Sequence, residues 1–200
     1  ISRKDFNLPD QGFIFTCFNS NNKITQREFD IWMRLLKEIK GSVLWLYKSN
    51  TWAEENLYKE AEKRNVDPKR LIFANKVPFD LHLARLSLGD LGLDTFNYNG
   101  HKTTCDALCS GLPILTKSGE NFVARVSSSL LTSIGMPELI TYDENKYEET
   151  ALRLASNHNE LFKLKSKLRK QTSKSSLFNS KLFTQDLESI YMKLVKDYKN

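Results

Sequence analysis

Residues 90–116, DLGLDTFNYNGHKTTCDALCSGLPILT, contain the clearest structural unit in the chain. Residues 90–94 form a short apolar run typical of a buried strand, and residues 95–100 form a loop with two asparagines and a glycine. A helix is predicted over residues 102–110, Gly111 ends it, and residues 113–116 form another buried strand. A strand, a crossover helix and a second strand in this order predict neighbouring parallel strands.

The same alternation extends outward on both sides of this unit. Further strands are predicted at residues 12–17, 42–47 and 71–74, with a candidate sixth, edge strand at 139–142. Helices are predicted from a Thr25–Glu28 capping box to Gly41, and at residues 52–64, 80–87 and 122–134. The pattern indicates the α/β class: a Rossmann-like, doubly wound parallel sheet covered by helices on both faces.

Beyond residue 143 the pattern is helical. Helices are predicted at residues 145–156, 159–170 and 184–198, with a serine-rich linker at 173–176. We expect one domain over residues 1–200, with a core at 12–142 and C-terminal helices at 143–200. Because the first residue is Ile1 rather than Met, we also expect a fragment of a longer protein.

The composition argues against several classes of partner. The net charge is +6, but many of the excess basic residues lie between residues 163 and 174, on what we interpret as a solvated helix face. We therefore expect no nucleic-acid partner, although binding of RNA or of a small anion stays open. The longest apolar runs are much shorter than the roughly 20 residues of a membrane span, and no charged-then-apolar leader opens the chain, so we expect a cytoplasmic location and no membrane partner.

The three cysteines do not form a disulfide or zinc-binding pattern. Cys17, Cys105 and Cys109 are an odd set without zinc-type spacing, which favours reduced core thiols and argues against a disulfide framework and a structural metal. Cys105 and Cys109 would share a helix face. We interpret them as two small buried side chains rather than as a ligand pair.

Three polar segments follow predicted strands, where an open parallel sheet binds its ligands. The loop 18–23 ends in Lys23, which could neutralise a phosphate or simply be solvated. Residues 75–85 end in a helix on which His82 and Arg85 are three apart, so both could face one anionic or aromatic ligand; His82 could equally be a packing residue.

The third segment carries the strongest signal. Gly100 permits a close backbone approach, and four successive donors begin the next helix: His101, Lys102, Thr103 and Thr104. The exposed amides and positive dipole end of a helix favour a diphosphate there. Asp106 lies one turn later, where it could accept hydrogen bonds from a ribose. The alternative, an ordinary N-capped helix, does not require four successive donors.

These residues resemble a known family. Residues 99–116, supported by residues 42–46, 94–95, 119–126 and 177–179, resemble the donor-site signature of the O-linked N-acetylglucosamine transferase and SPINDLY family, glycosyltransferase family 41. The resemblance extends in matching order from about residue 5 to the C-terminus. It implies that the chain is the C-terminal, nucleotide-sugar-binding domain of a two-domain transferase with the GT-B fold.

The resemblance also implies roles for the matching residues. Lys23 would be catalytic, neutralising the leaving diphosphate, and amide and lysine donors would replace a metal, so that neither metal nor cofactor is expected. The implied substrate-binding residues are Val77 (backbone) and Arg85 at the uracil, His82 lining the donor site, His101, Lys102 and Thr103 at the diphosphate, and Asp106 at the ribose.

Three positions depart from the family pattern. Phe79 stands where animal members have a ribose-contacting lysine, Lys102 replaces a threonine, and Ser20 replaces a glutamine. These changes leave the identities of the sugar and the nucleotide open.

The resulting functional prediction is an inverting, metal-independent glycosyltransferase that transfers N-acetylglucosamine from UDP-N-acetylglucosamine to protein side chains. The alternatives are a fucosyl or hexosyl transferase using GDP-fucose or UDP-glucose, and a non-catalytic nucleotide-binding module. The family's N-terminal catalytic half and helical repeats do not occur in these residues. We therefore expect those parts of a longer protein and a protein acceptor as partners, and an isolated chain that binds the donor without transferring sugar.

Overall fold

The computed structural model describes residues 1–199, over which strands and helices alternate. The strands are β1 (Ile14–Cys17), β2 (Val43–Tyr47), β3 (Leu71–Ala74), β4 (Leu91–Leu93), β5 (Ile114–Lys117) and β6 (Ile140–Thr141). The α-helices are α1 (Gln26–Glu38), α2 (Thr51–Lys63), α3 (Phe79–Leu86), α4 (Lys102–Cys109), α5 (Val126–Ser133), α6 (Glu144–Ser156), α7 (His158–Thr172) and α8 (Ser180–Lys199).

The six strands form one sheet in the order β3-β2-β1-β4-β5-β6, and every neighbouring pair is parallel. The predicted α/β class and the sixth, edge strand are therefore confirmed. The chain builds outward from β1 to β3 and then returns to β4 on the other side of β1. In doubly wound folds, this reversal opens a ligand crevice at the carboxyl ends of the two central strands.

Helix α1 shows how local sequence fixes these elements. The backbone N–H of Thr25 donates to Glu28 Oε1 at 2.8 Å, as the capping-box pattern predicts. Phe29 and Trp32 lie on the buried stripe of the helix. Gly41, at φ +74°, then turns the chain toward β2 in a conformation that residues with a Cβ rarely adopt.

Both faces of the sheet are buried. Along β1, Phe15 and Cys17 face the main core, whereas Ile14 faces a second cluster with Trp45. Tyr147 of α6 and Leu168 of α7 are fully buried in the main core. The predicted boundary at residue 143 is thus a change of secondary structure rather than of packing, since α6 and α7 complete the core.

Helix α8 packs differently. Among residues 180–198, every side chain is exposed except that of Leu187, which is partly buried. The helix contacts mainly the 3-10 turn Ser176–Phe178 that precedes it. Its apolar side chains therefore contribute little to the core within the described residues.

The helix predicted over residues 122–134 is wrong as a single element. A 3-10 turn, Phe122–Ala124, is separated from α5 at Arg125, whose ψ of −4° lies outside the helical range. The Asn121 side chain accepts the N–H of Ala124 at 3.0 Å, and Gly119 N–H donates to the Ala124 carbonyl at 2.8 Å. These loop hydrogen bonds compete with a continuous helix.

One prediction of burial is wrong, and a prediction of exposure holds only in part. Cys109 is exposed and Cys105 partly buried, because the buried stripe of α4 is Thr104, Ala107 and Leu108 and the two thiols lie to one side of it. The predicted solvated face at residues 163–174 is confirmed for the exposed Lys163, Arg169, Lys170 and Lys174, but Lys165 is partly buried. Its ammonium donates to the Gly89 carbonyl at 2.8 Å, and burial lowers its pKa from the usual value. Lys165 shares a stripe of α7 with its buried leucines.

Candidate functional site

A cavity of about 660 Å³ opens at the carboxyl ends of β1 and β3. Six of the eight predicted site residues line it: Val77, His82, Arg85, Lys102, Thr103 and Asp106. The loop after β3 with α3 forms one wall, and the first turns of α4 form the other. The remaining two residues, Lys23 and His101, do not line the cavity; both contact Tyr98 beside it.

A buried carboxylate holds the loop that leads into α4. Asp94 Oδ1 accepts hydrogen bonds from Asn19 Nδ2 at 3.0 Å, Thr95 N at 2.9 Å and Gly100 N at 2.7 Å. Its Oδ2 accepts the hydroxyl of Thr116 at 2.7 Å. Burial raises the pKa of this carboxyl, and the hydrogen bonds oppose the rise. The loop is thus fixed by contacts with the ends of β1, β4 and β5.

Gly100 and Thr103 bring the start of α4 against the end of β1. A Cβ on Gly100 would lie 2.7 Å from Thr103 Oγ1 and 2.9 Å from Asn19 Oδ1. The Thr103 hydroxyl donates to Asn19 Oδ1 at 2.5 Å. The predicted need for a glycine is therefore explained by close packing.

Thr104 does not face the crevice. It is buried, donates to the Gly100 carbonyl at 3.0 Å and lies 2.9 Å from the Ser127 hydroxyl. Successive helical residues point about 100° apart, so four consecutive side chains cannot all face one ligand. The prediction of four donors in the crevice is wrong for Thr104.

Lys23, Tyr98 and His101 form a second cluster next to the cavity. Lys23 Nζ donates to the Asn99 carbonyl at 3.0 Å and lies 3.9 Å from the centroid of the Tyr98 ring. The His101 ring stacks on Tyr98 with centroids 4.9 Å apart. The Nε2 atom of His101 is buried and makes no hydrogen bond within residues 1–199. Such a group is costly unless a ligand pairs with it.

Arg85 lines the cavity from below, with almost all of its side chain buried. Its guanidinium carbon lies 5.0 Å from the centroid of the Phe18 ring. Its Nη1 donates to the Asn75 carbonyl at 2.7 Å. That bond holds the loop that carries Val77. Burial lowers the pKa of Arg85 from its usual value.

His82 is held by Arg85 in one tautomer. Arg85 Nε and Nη2 lie 3.3 and 3.1 Å from His82 Nδ1. A guanidinium group only donates, so Nδ1 accepts and the ring proton lies on Nε2. Burial, and then the charge of Arg85, lower the pKa of His82 below its usual 6.5. His82 therefore presents a neutral ring to the cavity.

Lys102 and Asp106 interact across one turn of α4. Lys102 Nζ lies 2.6 Å from Asp106 Oδ2 and 4.2 Å from the centroid of the Phe79 ring at the start of α3. The ammonium group thus bridges the two walls of the cavity.

Sequence analysis missed the supporting residues Asn19, Asp94 and Tyr98. Asp94 could have been found from the sequence, because a carboxylate that directly follows a buried strand lies at the edge of the sheet where ligands bind. Within residues 1–199 no cluster of three or more potential metal ligands occurs. No helix in the same residues combines the length and apolar character of a membrane span.

Comparison with known proteins gives consistent matches. The model of the family described as glycosyl transferase family 41 matches residues 1–187. A Caenorhabditis elegans protein named UDP-N-acetylglucosamine–peptide N-acetylglucosaminyltransferase is 33% identical over the whole chain, which covers 17% of that protein. A Petunia hybrida protein named as a probable enzyme of the same activity, SPINDLY, is 34% identical over 94% of the chain and is 21% covered. The chain thus spans about a fifth of these relatives.

A solved structure supports the same assignment. A mutant O-GlcNAc transferase from Thermobaculum terrenum superposes with a TM-score of 0.87 at 29% identity, over 93% of this chain and 36% of that one. The six-stranded parallel sheet and its flanking helices are therefore those of a GT-B glycosyltransferase domain. On the family match and on relatives at this identity, the chain belongs to glycosyltransferase family 41.

Proposed function

We propose that the chain is the donor-binding domain of an inverting, metal-independent glycosyltransferase that transfers N-acetylglucosamine from UDP-N-acetylglucosamine to protein side chains. One observation carries the proposal: the cavity at the sheet's switch point collects six residues from α3, α4 and the loop between β3 and α3. Relatives named for this donor and for peptide acceptors support the choice of substrates.

The nucleotide would lie across the two walls. The loop at Val77, which Arg85 holds through Asn75, would contact the uracil, and His82 would offer its Nε2 proton. The first-turn amides of α4, with Thr103, would bind the diphosphate, because these N–H groups lack helical partners and lie at the positive dipole end. Asp106 would accept hydrogen bonds from the ribose.

Lys23 and His101 would act on the leaving diphosphate. In an inverting transfer, the acceptor oxygen bonds to the anomeric carbon as the bond to the diphosphate breaks, and negative charge grows on the leaving group. The Lys23 ammonium and a hydrogen bond from His101 would stabilise that charge, a role that a metal ion has in other enzymes. The buried, unpaired Nε2 of His101 supports this role.

Isothermal titration calorimetry with separate ligands tests the donor. We expect UDP and UDP-N-acetylglucosamine to bind, with UDP-glucose weaker and GDP-fucose without effect. If GDP-fucose binds and UDP-N-acetylglucosamine does not, the chain is instead the donor domain of a fucosyl transferase. If no nucleotide binds, the proposal fails.

A histidine substitution tests the site. His101→Ala should weaken UDP binding by about 1 to 3 kcal/mol, because a buried hydrogen bond to a charged group is lost. His158→Ala is the matched control, since His158 is exposed at the first turn of α7. Equal UDP affinity of the wild type and His101→Ala in the same titration would remove His101 from the site.

The partners are also part of the proposal. We propose that an N-terminal catalytic half and helical repeats of a longer protein supply the acceptor site, as the greater length of the relatives suggests. The acceptor would be a protein. Location in the cytoplasm, and the absence of nucleic-acid and membrane partners, stay predictions.

A further inference from the structure

The ammonium group of Lys102 occupies an electrostatically unfavourable position. Lys102 is the first residue of α4, where the positive end of the helix dipole disfavours a cation. Lys102 lies four residues before Asp106. On a helix, such an ion pair stabilises less when the lysine precedes the acid than when the acid precedes the lysine. The stability of α4 therefore does not explain a lysine at this position.

The contacts of Lys102 place it over a carboxylate in the cavity wall. Its Nζ lies 2.6 Å from Asp106 Oδ2 and 4.2 Å from the Phe79 ring centroid. The side chain of Asp106 is only 12% exposed, whereas that of Lys102 is 72% exposed. Ion pairs and cation–π contacts at exposed sites are weak. A ligand with two adjacent negative charges can therefore displace them.

We propose that Lys102 makes the site selective for a nucleoside diphosphate over the nucleoside, by exchanging Asp106 for the diphosphate when the ligand binds. The inference rests on the proposed function, which places the diphosphate at the first turn of α4 and the ribose at Asp106. In the free protein the ammonium neutralises Asp106. In the complex it contacts the diphosphate, and the carboxylate accepts hydrogen bonds from the ribose hydroxyls.

This exchange couples the two halves of the ligand. A nucleoside must displace Lys102 from Asp106 and offers the ammonium no new anion in return. A nucleoside diphosphate offers one, so the ribose and diphosphate contacts form together. The same side chain thus opposes binding of the nucleoside and favours binding of the diphosphate.

NMR titration of the labelled chain with uridine and with UDP tests the exchange. Lys102→Met keeps the length of the side chain and removes its charge. We expect UDP to bind roughly tenfold more weakly, since a charge-assisted contact is lost. We expect uridine to bind a few-fold more tightly, because it no longer has to displace the ammonium from Asp106, so the ratio of the two affinities falls more than tenfold.

Lys146→Met is a matched control. Lys146 also lies in the first turn of a helix, pairs with Glu149 at 3.1 Å and is 64% exposed, but it does not line the cavity. The substitution changes the net charge by the same amount. It should leave both affinities unchanged, which separates a local exchange from a general loss of positive charge.

The outcomes distinguish this inference from the proposed function. If Lys102→Met leaves the uridine affinity unchanged, weakens uridine and UDP binding by the same factor, or leaves the UDP affinity unchanged, the exchange is wrong, while UDP binding by the wild type still supports a donor domain. If the wild type binds neither UDP nor UDP-N-acetylglucosamine, the proposed function fails, and the exchange fails with it.

Discussion

Asp94, Thr95 and Asn99 are polar and at most 2% exposed, whereas Leu194 and Val195 on α8 are apolar and more than half exposed. Hydrogen bonds from the sequence-distant Asn19 and Thr116 compensate for the burial of Asp94 and Thr95, and the Asn99 side-chain amide donates to the Thr95 carbonyl within the loop. On α8, no part of residues 1–199 buries Leu194 or Val195. Position relative to the sheet therefore decides burial. The loss of unfolding free energy on mutation should depend on burial and hydrogen bonding rather than on residue polarity.

The largest effect is expected at the buried carboxylate. Asp94→Ala should lower the free energy of unfolding by about 3 kcal/mol or more, because buried donors of Asn19, Gly100 and Thr116 lose their acceptor. Urea denaturation measures the change. Asp143→Ala is the control. Asp143 caps α6 by accepting the N–H of Lys146, and the substitution should lower the free energy of unfolding by only about 1 kcal/mol. Equal losses of unfolding free energy in the two variants would show that burial does not decide the sensitivity of these carboxylates to mutation.

A smaller effect is expected where the loop meets α4. Gly100→Ala should cost about 1 to 3 kcal/mol, because the added methyl group would overlap Thr103 and Asn19. The same denaturation experiment measures it. A variant as stable as the wild type would show that the loop can move away from β1, contrary to the fixed geometry that the Asp94 hydrogen bonds imply.

His82 is an intermediate case, since it is polar and partly buried. Its pKa lies below 6.5 in the folded protein. As the pH falls below about 6.5, the unfolded chain therefore binds more protons at this residue than the folded chain does. The stabilisation that depends on a neutral His82 is present above that pH and is lost as the pH falls toward the folded-state value. Between pH 7.5 and pH 5.5, the free energy of unfolding should therefore decrease more for the wild type than for His82→Gln. Identical pH slopes would contradict the burial of this ring.

The smallest effect is expected on α8. Leu194→Ala should change the free energy of unfolding by less than about 0.5 kcal/mol, because the side chain is 58% exposed. Leu168→Ala, the same substitution at a fully buried position of α7, should cost about 2 to 5 kcal/mol. Comparable losses at both positions would mean that α8 is covered by a contact beyond those described.

Much of the architecture could be predicted, because short apolar runs and amphipathic stretches record burial directly. The predicted β3 agrees residue for residue with the structure, and β2 differs by one residue at its start. The break at Arg125 could not be predicted, because it depends on loop hydrogen bonds of Asn121 and Gly119 that no periodicity records. The exposure of Cys109 likewise depends on which side of α4 meets the core.

The site was predictable in part for a topological reason. The loops and helix starts that follow parallel strands meet at one edge of the sheet, so His82 on α3 and Lys102 and Asp106 on α4 share one cavity. Their supports were not predictable. Asn19 and Asp94 are 75 residues apart, and nothing local in either segment indicates that they are hydrogen-bonded.

By itself, the sequence determined the strand and helix order, the parallel sheet and the segments from which a ligand site could form, since these depend on local propensity and periodicity. Only the tertiary structure decided which polar groups are buried and which remain available to a ligand. It turned Thr104 into the core, placed Arg85 beneath the loop of Val77 and set Lys102 between Phe79 and Asp106. These outcomes depend on contacts between residues that are distant in the chain, which a local pattern does not encode.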